Sequence, residues 1–182
     1  MRIISGKYRG KRLMAPEGKT TRPTSDKVRE SVFNILISHG ELGANVLDLF
    51  AGTGALGIEA LSRGAETALF VDKSPEAASV VKKNLANMGV TMPVYNTDWK
   101  VAVRKLAGRK FDLIFLDPPY ALGIESELIR NIKAADLLTD DGCIVLEHSS
   151  SVTGFDVCGY EADTRVYSDT SVTFLRRKND ER

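Results

Sequence analysis

The sequence has few of the residues on which disulfide-rich, metal-binding or membrane proteins depend. It contains two cysteines and two histidines in 182 residues, and Cys143 and Cys158 stand too far apart for a C-x-x-C pair. Neither His39 nor His148 completes a metal-ligand cluster with them. No apolar run approaches the roughly 18 residues of a membrane span, and the first residues contain no apolar signal-peptide core. We therefore expect reduced thiols, no metal site, no membrane segment and a cytoplasmic location.

Proline is also scarce, with six residues, while 43% of the residues are hydrophobic and 27% are charged. These proportions are typical of soluble globular proteins. A chain of 182 residues has the size of one ordinary domain, and such a domain buries roughly two thirds of its unfolded surface. It needs neither disulfides nor a structural metal in order to fold.

Charge is nearly balanced over the whole chain but unevenly distributed along it. The formal net charge is +1, whereas residues 1–30 carry nine basic and three acidic side chains, a charge of +6, and the remainder carries −5. A basic segment ahead of an acidic body is typical of proteins that bind a polyanion such as nucleic acid. Solvated surface lysines and arginines produce the same pattern, so charge alone leaves both interpretations open.

From residue 41 onward, short apolar runs typical of strands alternate with amphipathic segments typical of helices. Strands are predicted at 46–50, 67–71, 92–96, 111–116 and 143–147, and helices at 58–63, 75–88, 98–106 and 124–135. Two further strands, at 160–166 and 171–175, follow with no helix between them. This order predicts an α/β fold, namely a doubly wound, Rossmann-like sheet of seven mostly parallel strands that ends in an antiparallel hairpin.

The first forty residues are predicted to form a small extension of this sheet. Gly6 and Gly10 separate two short extended pieces, which favours an N-terminal β-hairpin. An amphipathic helix is predicted at 26–38, after residues suited to an N-cap. We expect residues 1–40 to pack on a single compact domain formed by residues 41–182.

A glycine-rich loop follows the first predicted strand and precedes a helix, which is the setting of a nucleotide-binding loop. Its pattern is Gly52-x-Gly54-x-x-Gly57, and glycines there let a ligand approach the backbone beside a helix N-terminus. Close packing of the helix on the strand requires glycines as well. Asp72 ends the second strand, where a carboxylate can bind the ribose hydroxyls of an adenosine. These features suit NAD, FAD and S-adenosylmethionine equally.

Asp48, four residues before Gly52, helps to separate these cofactors. A carboxylate at the end of the first strand can face the cationic aminoacyl end of S-adenosylmethionine, whereas it would repel the pyrophosphate of a dinucleotide. Alternatively, the Asp48 carboxylate accepts hydrogen bonds from backbone N–H groups of the glycine turn.

A second loop, Asp117-Pro118-Pro119-Tyr120, follows the strand predicted at 111–116. Ligands of doubly wound sheets bind at the carboxyl ends of the strands, so this rigid loop should face the glycine loop. The Asp117 carboxylate and the Pro118 carbonyl can accept both hydrogens of an exocyclic amino group whose nitrogen is being methylated. Tyr120 can stack on a base that has been flipped out of its helix or lies unpaired. The alternative is a turn without catalytic function.

Several segments of the chain together resemble one enzyme family. They are VLDLFAGTGALGIEALSRGA, FVDKSPEA, FDLIFLDPPY, TTRPTSDKVRESVFNIL, and the terminal MRIISGKYRGKRL and RVYSDTSVTFL. They are similar to the RsmD-type 16S ribosomal RNA (guanine 2-amino) methyltransferases, which are class I S-adenosylmethionine-dependent enzymes. DPPY and the glycine loop occur in many amino-methyltransferases, whereas RPTSDKVRESVFNIL and RIISGKYRGKRL are particular to this family. One departure is Ser168, which stands where a glycine is expected in the terminal turn.

The resemblance implies S-adenosylmethionine as cofactor and 16S rRNA, within a partly or fully assembled small ribosomal subunit, as the partner of a monomeric enzyme. The residues expected at the cofactor are Arg22, Thr24, Asp48, Phe50, Ala51, Gly52, Thr53, Gly54, Asp72, Lys73, Asp98 and Trp99. The residues expected to be catalytic are Asp117, Pro118, Pro119 and Tyr120, and those expected at the RNA are Arg2, Lys7, Arg9, Lys11 and Arg12. Within these sets, Asp98 would accept from the adenine amino group and Arg22 would bind the cofactor's carboxylate.

Other functions remain as alternatives. The substrate could be another RNA or adenine in DNA, although we expect no room in this chain for a domain that reads a DNA sequence. An NAD-dependent oxidoreductase shares the glycine loop but leaves the 117–120 loop unexplained. A non-catalytic RNA-binding assembly factor is disfavoured by two intact loops. His148 could be a general base, but a structural role is favoured because water can take the proton from a methylated nitrogen.

Overall fold

The computed structural model of the protein describes residues 1–16 and 25–178, and these form a seven-stranded sheet with helices on both faces. The strands are Asn45–Asp48 (β1), Thr67–Asp72 (β2), Val94–Asn96 (β3), Phe111–Leu116 (β4), Leu138–Ser149 (β5), Glu161–Tyr167 (β6) and Thr170–Arg176 (β7). The helices are Asp26–Ser38 (α1), Ala55–Ser62 (α2), Pro75–Asn87 (α3), Trp99–Lys105 (α4) and Glu125–Ala134 (α5).

The strand order is β3-β2-β1-β4-β5-β7-β6. β1 to β5 run parallel, and β7 is antiparallel to both of its neighbours. The predicted doubly wound sheet with a terminal antiparallel hairpin is therefore confirmed. In this order β1 lies between β2 and β4, so the loops that follow these three strands emerge side by side.

The sheet is buried on both faces because alternate residues of each strand point to opposite sides. On one face, helices α1, α2 and α3 pack over Val46, Phe70 and Phe115. On the other face, α4 and α5 pack over Leu47 and Ile114. Burial on both sides explains why these strands appear in the sequence as short continuous apolar runs.

Side-chain caps fix where two of the helices begin. The Ser25 hydroxyl accepts a hydrogen bond from the Val28 N–H, and α1 then spans the residues predicted for it. Ser74 caps α3 in the same way, and Pro75 occupies the first helical position.

The N-terminal arm, residues 1–16, folds back on itself with less β-structure than the predicted hairpin. A single antiparallel bridge pairs Arg2 with Arg12, and no strand is assigned within the arm. Ile3 and Leu13 are buried in the core of the sheet domain. Backbone hydrogen bonds still join its two halves, from the Ile3 N–H to the Lys11 carbonyl and from the Leu13 N–H to the Met1 carbonyl. The pairing is short because the Lys7 N–H bonds instead to the Ser62 carbonyl of α2.

Helix α2 supplies much of the polar docking of the arm. The Glu59 carboxylate is 1% exposed and accepts the backbone N–H groups of Ile4 at 2.9 Å and Ser5 at 3.0 Å. The Ser62 hydroxyl donates to the Ser5 carbonyl at 2.6 Å. Gly6 approaches so closely that a Cβ added there would lie 1.9 Å from the Ser62 carbonyl oxygen. The arm and the sheet domain consequently share one packed interior.

The largest boundary difference is in β5, which spans Leu138–Ser149 rather than the predicted 143–147. Its first half contains Asp140 and Asp141, whose charge hides the strand from a search for apolar runs. At the far end of the sheet, Ser168 in the β6–β7 turn has a φ of +60°. This serine therefore adopts the left-handed conformation that the expected glycine would adopt more easily.

Candidate active site

A cavity of about 410 Å³ opens at the carboxyl edge of the sheet, where the segments after β1, β2, β3 and β4 meet. Ten residues of the predicted site line it, namely Phe50, Ala51, Gly52, Thr53, Asp72, Lys73, Asp98, Trp99, Asp117 and Pro119. Asp48, Gly54, Pro118 and Tyr120 lie beside these residues but do not line the cavity. Arg22 and Thr24 lie outside the described residues.

Sequence reasoning did not identify the rest of the lining. These residues are Met1, Pro16, Leu49, Ala55, Leu56, Ser74, Ala77, Thr97, Lys100, Leu122, Ile124 and Glu127. Five of them, Leu49, Ala55, Ser74, Thr97 and Lys100, directly adjoin a residue predicted at the cofactor or in catalysis, so that position in the sequence could have suggested them. Met1 and Pro16 carried no such signal because they come from the opposite ends of the arm.

The three glycines of the glycine loop serve three different purposes. Gly52 has a φ of +55°, and a Cβ added there would meet no atom within 4 Å, so its backbone is open to a ligand. Gly54 has a φ of +80° and forms the N-cap of α2. A Cβ on Gly57 would lie 2.4 Å from Cε1 of Phe70, so this glycine permits helix–strand contact. The two interpretations of the glycine loop from the sequence therefore apply to different residues: ligand access to Gly52, and close packing to Gly57.

Asp72 joins the glycine loop to the start of α3. One carboxylate oxygen accepts the Gly52 N–H at 2.9 Å, and the other accepts the Ser74 N–H at 2.8 Å. Each carboxylate oxygen can accept a second hydrogen bond. Asp72 is therefore held in a fixed orientation at the cavity wall with acceptor capacity left for ligand hydroxyl groups.

Asp48 is 1% exposed and accepts the Gly57 N–H at 3.0 Å. Burial, assisted by the charge of Asp72 and opposed by the Gly57 hydrogen bond, raises the pKa of Asp48 to about 7. The bond to the glycine turn is the second of the two arrangements considered from the sequence. Asp48 therefore stabilises the glycine loop through this hydrogen bond and does not itself line the cavity.

Asp98 and Trp99 lie at the start of α4, on the side of the cavity formed by the β3 end. One oxygen of Asp98 accepts the Lys100 N–H at 2.8 Å and so caps the helix. Trp99 is 7% exposed, and the Lys100 ammonium lies 5.4 Å from its ring centroid and 2.7 Å from the Glu127 carboxylate. This side of the cavity combines an apolar wall with a carboxylate acceptor and a rim ion pair.

The residues of the 117–120 loop lie at different depths. Asp117 is half-buried and lines the cavity together with Pro119, whereas Pro118 is buried beneath them. Tyr120 begins a short 3-10 turn and remains 36% exposed at the surface. The loop therefore presents one carboxylate to the cavity and one aromatic ring outside it.

The Tyr120 phenol is held by two residues that sequence reasoning missed. It donates to Oε1 of Glu147 at 3.0 Å, and the Thr170 hydroxyl lies 3.0 Å from the same phenol oxygen. Glu147 is 7% exposed and Thr170 is 8% exposed. The only available signal was the position of Glu147 near the carboxyl end of a predicted strand, the same setting as Asp117.

Three acidic groups, Asp117, Glu147 and Asp48, lie close together at this end of the cavity. Burial raises the pKa of Asp117 well above its usual range, and the charges of Glu147 and Asp48 raise it further. Burial also raises the pKa of the Tyr120 phenol, with the Thr170 hydrogen bond acting against the shift. This end of the cavity consequently favours a ligand that donates hydrogen bonds or carries positive charge over an anion.

A buried asparagine connects the arm to the glycine loop. Asn84, on α3, is 1% exposed; its amide accepts the Met14 N–H at 2.8 Å and donates to the Met14 carbonyl at 3.1 Å. The same amide donates to the Thr53 carbonyl at 2.9 Å. Since Met1 and Pro16 also line the cavity, the arm forms part of its wall.

All five basic side chains expected at the RNA are exposed on the arm: Arg2, Lys7, Arg9, Lys11 and Arg12. Arg2 and Arg12 are neighbours through the arm's bridge. The ammonium groups of Lys7 and Lys11 lie 5.4 Å and 5.6 Å from the Tyr8 ring centroid. The surface of the arm is therefore both basic and partly aromatic.

His148 is enclosed in the sheet rather than exposed to the cavity. It is 2% exposed, its Nε2 lies 2.9 Å from the Thr173 hydroxyl and its Nδ1 lies 3.0 Å from the Ser149 carbonyl. The edge of its ring contacts Phe155, with 5.0 Å between the ring centroids. These contacts support a structural role.

Membrane spans and metal clusters are both absent from residues 1–16 and 25–178. No helix in these segments is long and apolar enough to cross a membrane. In the same segments, no three His, Cys, Asp or Glu side chains are grouped as metal ligands would be. Both cysteines are free thiols.

The chain matches one protein-family model along nearly all of its length. Residues 1–176 match the family described as Conserved hypothetical protein 95, which is the RsmD family. The chain belongs to the RsmD family. Its resemblance to that family, inferred from several sequence segments, is thereby confirmed.

Individual RsmD-family relatives cover most of the chain. The Bacillus subtilis protein YlbH, provisionally named an rRNA methyltransferase, is 42% identical over 98% of this chain and 100% of its own length. Ribosomal RNA small subunit methyltransferase D of Escherichia coli is 36% identical over 81% of this chain and 74% of its own length. The solved structure of Escherichia coli yhhF, provisionally described as a methyltransferase, superposes with a TM-score of 0.84 at 30% identity and covers 98% and 99% of the two chains.

Membership of the RsmD family decides between the enzyme classes that the glycine loop left open. The protein is a methyltransferase rather than an NAD-dependent oxidoreductase.

Proposed function

We propose that this protein transfers a methyl group from S-adenosylmethionine to the exocyclic 2-amino group of a guanine in small-subunit (16S) ribosomal RNA. The observation that carries the proposal is that the glycine loop and the 117–120 loop meet at one cavity. β1 pairs in parallel with β4, with Asp48 opposite Phe115, so the loops after these strands are neighbours. A donor bound at one loop and an amino group bound at the other would be close enough to react.

The residues around the cavity suit S-adenosylmethionine. A volume of about 410 Å³ lies within the usual range for a site of this kind. Asp72 would accept the ribose hydroxyls, Trp99 would cover the adenine and Asp98 would accept its amino group. The open backbone at Gly52 would accommodate the methionine part. When bound, this cofactor supplies a methyl carbon made electrophilic by its sulfonium sulfur.

Asp117 and Pro118 would direct the amino nitrogen at that carbon. Their carboxylate and carbonyl oxygens would accept the two amino hydrogens and turn the nitrogen lone pair out of conjugation with the base. The lone pair directed in this way would accept the methyl group that the cofactor supplies, and one proton would then leave the nitrogen for water. The Asp117 carboxylate itself would also stabilise the positive charge that develops on the nitrogen.

The arm supports an RNA substrate. Its five exposed basic side chains would bind phosphates, and its two ends form part of the cavity wall. RNA held on the arm would therefore run past the opening of the site. Since the relatives named above carry rRNA methyltransferase names, we propose 16S rRNA, within a partly or fully assembled small subunit, as the substrate of a monomeric enzyme.

The test is to identify the methylated nucleoside. The protein and methyl-labelled S-adenosylmethionine are incubated with small subunits that lack the modification, with naked 16S rRNA and with duplex DNA, and each product is digested to nucleosides. We expect N2-methylguanosine from the ribosomal substrates and more label in subunits than in naked RNA. Label on adenine in DNA, label on another nucleoside, or no transfer at all would contradict the proposal.

A second measurement examines the arm. Replacing Arg9, Lys11 and Arg12 by glutamine should weaken RNA binding and lower the slope of log affinity against log salt by up to about three. Cofactor affinity should stay unchanged in the same variant. An unchanged salt slope would place the RNA elsewhere on the protein.

A further inference from the structure

Glu147 lies directly beside Asp117 in the sheet. The last aligned residues of β4 and β5 are Leu116 and Leu146, and these strands are parallel, so the residues that follow them are neighbours across the sheet. Glu147 is nearly buried there, between Asp117 on one side and β7 on the other. Burying a carboxylate costs free energy unless hydrogen bonds compensate for the lost water, so Glu147 needs hydrogen-bond partners in this position.

A chain of hydrogen bonds connects Glu147 to the 117–120 loop. A carboxylate can only accept, so the Tyr120 phenol uses its single proton for Glu147, at 3.0 Å. The phenol oxygen can then accept from the Thr170 hydroxyl, also at 3.0 Å. Thr170 belongs to the first residue pair of β7 with β5, a regular part of the sheet. The phenol is thus fixed at two points on a rigid support.

This arrangement fixes the ring without covering it. Tyr120 remains 36% exposed even though its hydroxyl is held by two nearly buried residues. The two prolines restrict the backbone before Tyr120, and the hydrogen bonds restrict the far end of its side chain. The exposed ring beside the cavity mouth is therefore preorganised as a flat apolar surface next to Asp117.

We propose that Glu147 is a positioning residue of this methyltransferase, which together with Thr170 orients the Tyr120 ring so that a base packed on it presents its amino group to Asp117. The inference rests on the proposed function and extends it, because it concerns how the substrate base is held and not which base it is. Glu147 acts through Tyr120, so loss of either residue should affect the same step. Binding of the cofactor, which occupies the other loop, should be unaffected.

Three variants and their combination test this step. Tyr120→Phe keeps the ring and removes the phenol, Glu147→Gln keeps an acceptor, and Glu147→Ala removes it. A misplacement of about 1 Å costs on the order of 100-fold in rate, so we expect Tyr120→Phe and Glu147→Ala each to lower kcat roughly 10- to 100-fold. Glu147→Gln should retain most of the rate. The double variant Glu147→Ala/Tyr120→Phe should be no slower than the slower single variant, because each substitution removes the same hydrogen bond between Tyr120 and Glu147.

The control is Tyr167→Phe, which removes another phenolic hydrogen bond, 2.7 Å from the Ser31 hydroxyl, outside the cavity lining. It should methylate at the wild-type rate, and the cofactor Kd should stay within twofold in every variant. Additive losses in the double variant, or a wild-type rate in Glu147→Ala, would overturn the proposal.

A spectroscopic measurement separates this inference from the proposed function. The sequence has five tyrosines, so ¹³Cζ-labelled tyrosine gives few NMR signals, and Tyr120→Phe assigns the relevant one. We expect that signal to move in Glu147→Ala and much less in Glu147→Gln, whether or not the protein methylates guanine. An unmoved signal would refute the Glu147 contact, whereas a moved signal without any N2-methylguanosine would refute only the proposed function.

Discussion

Replacing Asn84 by alanine should weaken cofactor binding through the arm. Asn84 forms three hydrogen bonds, two with Met14 and one with the Thr53 carbonyl, at 2.8, 3.1 and 2.9 Å. At about 1 kcal/mol net for each, the variant would lose about 2 kcal/mol at the docked end of the arm and about 1 kcal/mol at the glycine loop, or about 3 kcal/mol together. Because Ile3, Leu13 and the Glu59 contacts remain, we expect the loss to be concentrated near residues 14–16 rather than along the whole arm.

This loss should weaken cofactor binding because Thr53 and Pro16 both line the cavity. If the full 3 kcal/mol were transferred to binding, the cofactor Kd would rise roughly 150-fold. Part of the loss will appear as reduced folding stability instead, so we expect a rise of about 10- to 100-fold. Isothermal titration calorimetry with S-adenosylmethionine measures the first quantity, and urea denaturation measures the second.

Asn87→Ala is the matched control, since it lies one turn later on the same helix. Its side chain is exposed, and its contact with the arm is made by its backbone carbonyl, which accepts from the Lys11 ammonium at 3.2 Å. This variant should change neither quantity by more than about 0.5 kcal/mol, as is usual for surface positions. If Asn84→Ala binds the cofactor within twofold of wild type, the arm does not support the glycine loop and the reasoning is wrong.

Three further predictions concern the site and the arm. Asp117→Asn should reduce methyl transfer, measured by single-turnover labelling, at least about 100-fold, while the cofactor Kd, measured by calorimetry, stays within a few fold. Asp136→Asn, at an exposed position, is the control. Equal rates in the two variants would mean that Asp117 has no role in the reaction. Gly6→Ala should destabilise the protein far more than Gly10→Ala in urea denaturation. Both glycines have a positive φ, at +88° and +83°, but only at Gly6 would the added Cβ meet the Ser62 carbonyl. Equal losses of stability would contradict the close docking of the arm. Burial raises the pKa of Asp48 from its usual value near 3.8 to about 7, so the contribution of Asp48 to stability is complete at low pH and is lost as the pH rises from about 4 through 7. The Asp48→Asn variant should lack that decline when the free energies of unfolding at pH 5 and pH 8 are compared. A decline equal to that of wild type would mean that Asp48 ionises normally.

The sequence predicted elements best where local chemistry marks both of their ends. Helix α1 matches the predicted 26–38 because Ser25 caps its start and Gly40 follows its end. Strand β4 matches its predicted bounds because charged residues precede it and the 117–120 loop ends it. β5 was predicted too short because its first residue, Leu138, pairs with Phe111 of β4 ahead of an irregularity in the register. The charged Asp140 and Asp141, which lie between this pair and Cys143, indicate a loop in the sequence.

The site was predictable where its residues follow strands and unpredictable where they act across the chain. Parallel strands bring their carboxyl ends to one edge, so the order of strands and loops along the chain was enough to predict that the two loops meet. Asn84 bonds to a residue 70 positions away, and Glu147 to one 27 positions away. Periodicity predicts which face of a helix or strand is buried, but it does not identify the remote group that a buried polar side chain will contact.

The arm docks on the sheet domain mainly through its backbone and its apolar side chains. Within the described residues, no acidic side chain forms an ion pair with its five basic side chains; Glu59 holds the arm instead by accepting backbone N–H groups. Among residues 1–16 and 25–178 these five side chains are thus not engaged in ion pairs, which suits the proposed binding of phosphates. Since Asn84 connects the same arm to the glycine loop, a partner that stabilises the docked arm should strengthen cofactor binding, and the cofactor should strengthen partner binding by the same factor.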